Sequence, residues 1–206
     1  MNDVSGFVAA GGLSSRMGGD KAWLQLDGRP MIQRVIDTLT AVASPISIIA
    51  NTGPYETLGL PVYRDANLGV GPLEAIRVAL ATARSQRVIV LACDLPLVRP
   101  SLFEFLLSLP GEYQAIVPVG PDGHLETLCA VYSTKAVQTV STLISEGRRM
   151  VRLLYERIET RRVEFEEFCS LAGSETFFEN VNTPEDYERV RSRFQHPAPP
   201  EPLGAK

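Results

Sequence analysis

Cysteine is scarce in this chain: Cys93, Cys129 and Cys169 are the three among 206 residues. The number is odd, the positions lie far apart and no C-x-x-C pair occurs, which argues against a structural zinc site and fits a reducing compartment. Cys93 and Cys129 sit in apolar runs and read as small buried hydrophobes. No G-x-S-x-G elbow, H-E-x-x-H helix or paired-cysteine cluster appears, so hydrolase and zinc chemistry lack support. No run of Lys or Arg stands out and the net charge is −4, which speaks against wrapping of nucleic acid and against a polybasic membrane patch. No apolar stretch approaches membrane-spanning length, and no basic segment followed by a long apolar run opens the chain. A cytoplasmic protein is the expectation, with neither nucleic acid nor membrane as a partner.

What is present is ordinary for a globular domain, with 45% hydrophobic and 21% charged residues. The length suffices for one sizeable core and is short for two full domains. Strand-like and helix-like runs alternate. Gly6–Ala10, Ile46–Ala50, Pro61–Arg64 and Val88–Ala92 read as strands. Ala115–Val119, Leu128–Tyr132 and Val163–Phe165 follow as later ones. Ile32, Val35, Ile36 and Leu39 fall at helical spacing and predict an amphipathic helix over Met31–Val42. Gly71-Pro72 opens a second helix, with Pro at the first position. Ser101-Leu102-Phe103-Glu104 has the form of a capping box for a helix to about Leu109. Thr134–Glu146 predicts a fourth helix, and Thr183-Pro184-Glu185-Asp186 starts a last one that ends near Phe194.

This alternation predicts βαβ units and a mostly parallel sheet covered on both faces: an α/β protein with a three-layer, Rossmann-like α/β/α architecture. Residues 1–194 read as a single domain. Residues 195–206 hold four prolines and few apolar side chains, and read as a disordered tail.

The richest stretch runs from Phe7 to Lys21. A short apolar strand enters a loop with Gly11, Gly12, Gly18 and Gly19, followed by Asp20 and Lys21. Glycines let backbone N–H groups approach phosphate oxygens, and Arg16 and Lys21 add positive charge. The loop reads as a cradle for a nucleoside triphosphate. It is no Walker A loop, since Ala22 follows the lysine where Ser or Thr would hold Mg²⁺. It is no dinucleotide fingerprint either, since Ser14-Ser15-Arg16-Met17 separates the glycine pairs.

In open parallel sheets ligands sit beyond the carboxyl ends of the strands, so the residues that follow each strand are the candidates. Asp94 follows the most hydrophobic strand. Its carboxylate needs a partner, either a Mg²⁺ shared with triphosphate oxygens or the turn that Pro96 shapes. Asn51 and Asp65 can read a base and ribose, or shape turns. Asn180 and Asn182 flank Val181 before the last helix; they either bind a phosphate or complete a metal shell, or only shape the turn. Arg148-Arg149 is either an anion clamp or solvated surface. His124 carries no assigned role, and Trp23 and Tyr132 read as core or rim.

Four stretches together resemble the molybdenum cofactor guanylyltransferases of the MobA family, within the nucleotidyltransferase superfamily. These are Ala10 to Lys21 with Leu24, Leu26, Gly28 and Pro30 after it; Gly71-Pro72-Leu73-Glu74-Ala75-Ile76; Cys93-Asp94-Leu95-Pro96; and Asn180-Val181-Asn182-Thr183-Pro184-Glu185-Asp186. The resemblance implies transfer of GMP from GTP to the terminal phosphate of molybdenum-molybdopterin, with release of pyrophosphate. It implies nucleotide binding by the backbone of Ala9, Ala10, Gly11 and Gly12 and by Lys21. Asn51 and Asp65 would contact the guanosine end, Asp94 would hold Mg²⁺, and Asn180 and Asn182 would face the pterin acceptor. Arg16, Lys21 and Asp94 would carry catalysis. Transient docking to cofactor-insertion or acceptor proteins belongs to the same expectation. Glu74 stands where a small residue is usual and would be unfavourable near phosphates unless turned away. Relatives that transfer CMP usually carry Pro before the loop lysine, so Asp20 favours guanosine. A CTP-using relative, another small nucleotidyltransferase and a non-catalytic GTP-binding regulatory or carrier module remain the alternatives.

Overall fold

The computed structural model describes residues 4–10, 20–64 and 71–195. Gly11, Gly12, Arg16, Asp65 and the tail from residue 196 lie outside the described residues.

The chain forms strands β1 (Val4–Ala9), β2 (Gln25–Leu26), β3 (Arg29–Pro30), β4 (Ile46–Ile49), β5 (Val62–Tyr63), β6 (Arg87–Ala92), β7 (Ala115–Pro118), β8 (Cys129–Ser133) and β9 (Thr160–Val163). Its helices are α1 (Met31–Thr40), α2 (Pro72–Thr82), α3 (Pro100–Ser108), α4 (Val137–Ser145), α5 (Arg152–Tyr155), α6 (Phe165–Phe168) and α7 (Pro184–Gln195). Seven strands make one sheet in the order β5-β4-β1-β6-β8-β7-β9. Only β8 runs antiparallel to its neighbours; β5, β4, β1 and β6 are mutually parallel, and β7 and β9 are parallel to each other. The carboxyl ends of every strand but β8 therefore share one edge.

Side chains alternate across the sheet, and both faces are apolar. Ile89 and Leu91 of β6 join a core with α1 and α3, whereas Val88 and Val90 join a second core with α2 and α4. Leu26, Met31, Val181 and Val190 form a small third cluster that seats α7 against the β2–β3 hairpin. The three-layer α/β arrangement and the parallel sheet expected from the alternating pattern are what the chain adopts.

Three local expectations change. The capping box at Ser101 does not form. Instead α3 starts at Pro100 with Arg99 before it, because proline's fixed φ and missing N–H suit the first helical position. The late strand is Thr160–Val163, and Phe165 opens α6. There Glu164 and Glu167 form a reciprocal capping box, which ends the strand. The fourth helix is shorter than Thr134–Glu146, since Thr134–Ala136 is a separate 3₁₀ turn. At Gly71 the expectation holds: φ is +80° and Pro72 takes the next place, a backbone that glycine adopts without strain.

Because both faces of β6 are covered, Ile89→Ala and Val90→Ala should each destabilise the fold, by about 2–4 kcal/mol. Urea unfolding of the two variants checks this. A near-neutral result for either would mean that one face of the sheet is not sealed.

Candidate active site

At the shared carboxyl edge, three segments distant in sequence converge on one ammonium group. Lys21 Nζ lies 2.6 Å from Asp94 Oδ2 and donates to Asn182 Oδ1 at 2.8 Å. The side chains of Lys21 and Asp94 are 14% and 20% exposed, so they are shielded yet open to a ligand.

Each partner is fixed by its own local structure. Lys21 opens the 3₁₀ turn Lys21–Trp23, and Asp20 caps that turn by accepting from the Ala22 N–H at 3.1 Å. The second carboxylate oxygen of Asp20 accepts from the Tyr55 hydroxyl at 2.5 Å. Trp23 stacks on Tyr55 with ring centroids 5.9 Å apart. Burial first, and then the bond to Asp20, push the Tyr55 phenol far above its usual range, so it remains a donor. Gly53 makes this clip possible. Its φ is +118°, and a Cβ there would fall 2.6 Å from the Tyr55 ring and 3.1 Å from Asp20 Oδ2.

Asp94 sits in the turn after β6. The Cys93 N–H donates to the Ala9 carbonyl at 3.0 Å, and the Asp94 carbonyl accepts from the Val181 N–H at 3.0 Å. That second bond draws the segment before α7 alongside Asp94 and so delivers Asn182. Burial, followed by the neighbouring Asp94 charge, pushes the Cys93 thiol up to about 12. Cys93 is therefore packing, as its apolar run suggested, and not a nucleophile.

Asn182 is held in turn by α7. Its N–H and that of Thr183 donate to Asp186 Oδ2 at 3.0 and 2.9 Å, and Asp186 N–H donates back to Thr183 Oγ1 at 3.1 Å. Burial alone would raise the Asp186 carboxyl, but bonds from Arg189, Asn182 and Thr183 outweigh it and bring it to about 2.

The remaining expected residues are placed as follows. Ala9 and Ala10 end β1, and Ala10 N–H donates to the Ile49 carbonyl at 2.8 Å. Asn51 follows β4, and its carbonyl accepts from Arg64 Nη1 at 2.7 Å. Asn180 is exposed beside Val181. All four lie at the same edge of the sheet. Glu74 is fully buried in α2 and pairs with Arg77 through both carboxylate oxygens, at 2.7 and 2.6 Å, so its charge is compensated by a bidentate fork. Arg148 and Arg149 are exposed, as is His124, which faces Asp122 at 3.1 Å. The roles of Tyr55 and Gly53 were not anticipated. The available signal was a glycine and an aromatic just beyond Asn51, a strand end already singled out.

The donors gathered here are oxygens: the Asp94 carboxylate and the Asn182 side-chain carbonyl. Among the described residues no group of three His, Cys, Asp or Glu could hold a metal. A zinc site needs more protein ligands, usually with nitrogen or sulfur. A hard cation that takes one carboxylate and fills its shell with water and phosphate oxygens fits.

Comparison with known proteins identifies the family of the chain. The family model described as the MobA-like NTP transferase domain matches residues 6–162. A "Probable molybdenum cofactor guanylyltransferase" of Carboxydothermus hydrogenoformans is 34% identical over 194 residues, covering 94% of this chain and 98% of that protein. A "Molybdenum cofactor guanylyltransferase" of Desulfosudis oleivorans is 31% identical over 199 residues, covering 95% and 98%. Among solved structures, molybdopterin-guanine dinucleotide biosynthesis protein A from Archaeoglobus fulgidus superposes with a TM-score of 0.76 at 24% identity, covering 91% of this chain and 97% of that one. At that identity the likeness is one of fold.

The Asp186 cap yields a pH prediction. Its carboxyl lies near 2 in the folded chain and near 3.9 unfolded. The stability it contributes is thus complete above about pH 4 and is lost as the pH falls toward 2. Asp186→Asn should be less stable than the parent at pH 6, and the gap should close between pH 4 and 2. A gap independent of pH would contradict the assignment.

Proposed function

The chain belongs to the MobA-like NTP transferase family, and from that premise we propose that it is a molybdenum cofactor guanylyltransferase. In this reading GMP passes from GTP to the terminal phosphate of molybdenum-molybdopterin, giving the guanine dinucleotide cofactor and pyrophosphate. Two relatives named for this activity, each matched over more than nine-tenths of this chain, support it. The structural observation that carries it is the meeting of Lys21, Asp94 and Asn182 at the carboxyl edge of the sheet.

The residue types suit the chemistry. An oxygen of the acceptor phosphate attacks the α-phosphorus of GTP. The bond to the bridging oxygen breaks, and its electron pair leaves with pyrophosphate. The nucleophile is already an anion, so neither Ser nor Cys is required. The difficulty lies in bringing two anions together and stabilising charge that moves toward the leaving group. Lys21 donates to the phosphates, and Arg16 adds charge from the loop. The backbone at Ala9, Ala10, Gly11 and Gly12 follows the triphosphate, and Asn51 and Asp65 hold the guanosine end. Asp94, with the carbonyl of Asn182, would hold Mg²⁺, which would supply positive charge at the reacting phosphates. Asn180 and Asn182 face the acceptor.

The choice of GTP over CTP draws on Asp20 as well as on the relatives. Asp20 accepts from both the Ala22 N–H and the Tyr55 hydroxyl, and a proline in that place could accept from neither through its side chain. No helix among the described residues is long and apolar enough to cross a membrane. We place the enzyme in the cytoplasm, with transient docking to cofactor-insertion or acceptor proteins.

Pyrophosphate release by the purified chain with Mg²⁺ and molybdenum-loaded molybdopterin, compared among GTP, CTP and ATP, tests the reading. Release with GTP alone and a pterin guanine dinucleotide product is expected. Release with CTP would move the chain to the cytidylyl relatives, and GTP binding without release would make it a regulatory or carrier module. Lys21→Ala and Asp94→Ala should each lower turnover at least about a hundredfold while the circular dichroism spectrum stays that of the parent. Normal turnover in either variant would contradict its role.

A further inference from the structure

Glu126 carries a carboxyl that neither the fold nor the reaction as derived above uses. It lies between β7 and β8, and three observations fix its place. The Leu128 carbonyl accepts from the Ala92 N–H at 2.7 Å, so the entry to β8 runs beside the end of β6, where Asp94 follows. The Glu126 N–H donates to the Pro118 carbonyl at 2.9 Å, which ties it to the carboxyl end of β7. An idealised Cβ on Gly120 would lie 3.2 Å from Glu126 Oε1 and 3.4 Å from the Phe178 ring, so the carboxyl and that aromatic lie against the same glycine. From Phe178 the chain runs four residues to Asn182, which is bonded to Lys21. Such a segment reaches at most about 14 Å, comparable with the length of a bicyclic ring bearing a short phosphate arm.

The carboxyl is half-buried and has neither hydrogen bond nor ion pair among the described residues. The neighbouring His124 imidazole is engaged by Asp122. Burial first, and then the charges of Asp122 and Asp94, raise Glu126 to about 7. A half-buried carboxyl that no protein donor occupies is open to donors that a ligand brings.

We propose that Glu126 is the acceptor-side recognition group, whose carboxylate takes the two adjacent N–H donors of a 2-amino-4-oxopyrimidine ring, the recognition edge of a pterin. This rests on the guanylyltransferase reading. Guanine presents the same edge, but Glu126 stands on the β8–β7 side of β6, whereas Asn51, which follows β4, stands on the other. Phe178, exposed in part beside it, offers a face for the ring.

Glu126→Gln tests this, because an amide turns one acceptor into a donor at nearly constant volume. The variant should keep its melting temperature, since it loses an unpaired carboxylate. The KM for the molybdopterin acceptor should rise about ten- to a hundredfold with the KM for GTP and kcat unchanged. In a separate equilibrium measurement that needs no turnover, quenching of 6-carboxypterin fluorescence should show the parent binding at least tenfold more tightly than Glu126→Gln. Equal binding of 6-carboxypterin by the two proteins, or none by the parent, would overturn the inference. So would a rise in the GTP KM alone, which would assign the edge to guanine. If the parent binds the pterin and Glu126 matters but no triphosphate yields product, the guanylyltransferase reading fails and the pterin site stands.

Discussion

The ammonium of Lys21 is the point on which this architecture turns. A charge removed from most of its water must be compensated, and here the compensation comes from segments 73 and 161 residues away. The Asp94 carboxylate needs the lysine as much as the lysine needs it, because burying either alone is expensive. Three loops that could each sample many conformations are thereby drawn to one place, and a phosphate arriving there meets a positioned donor.

That pairing is possible only because the sheet brings its strand ends to one edge. Parallel strands need crossover connections, here mostly helical, and the helices seal both faces. The polar loops are left at the ends, where a ligand can reach them. Second contacts then remove the slack. Tyr55 holds Asp20, which caps the turn of Lys21, and Asp186 holds the backbone of Asn182. The antiparallel β8 enters from the same edge and adds Glu126 to it. In the proposed reading, the sheet order separates a nucleotide half from an acceptor half, with Lys21 and Asp94 between them.

Much of this was legible in the residues. Apolar runs such as Val88–Ala92 identify a strand buried on both faces, and Gly71-Pro72 identifies a helix start. The loop from Gly11 to Lys21, with Asp94 and the two asparagines, points to phosphate chemistry. The rest depends on contacts over long chain separations, which local pattern does not encode. Nothing near Tyr55 reveals that its hydroxyl reaches Asp20, and nothing near Glu126 reveals that it stands beside the end of β6. Ser101 and Glu104 carry the spacing of a capping box, yet the neighbouring Pro100 suits a first helical position better. Glu74 taken alone is hostile to phosphate, but its charge is compensated by Arg77, one turn further along α2.

The interdependence of Lys21 and Asp94 is best measured by a double-mutant cycle. Single-turnover rates of guanylyl transfer would be compared for the parent, Lys21→Ala, Asp94→Ala and the double variant. Groups that act as one unit give strongly non-additive losses, so the double variant should be no more than a few-fold slower than the poorer single one. If the two losses multiply, Lys21 and Asp94 act independently, and the shared ammonium is not what organises this site.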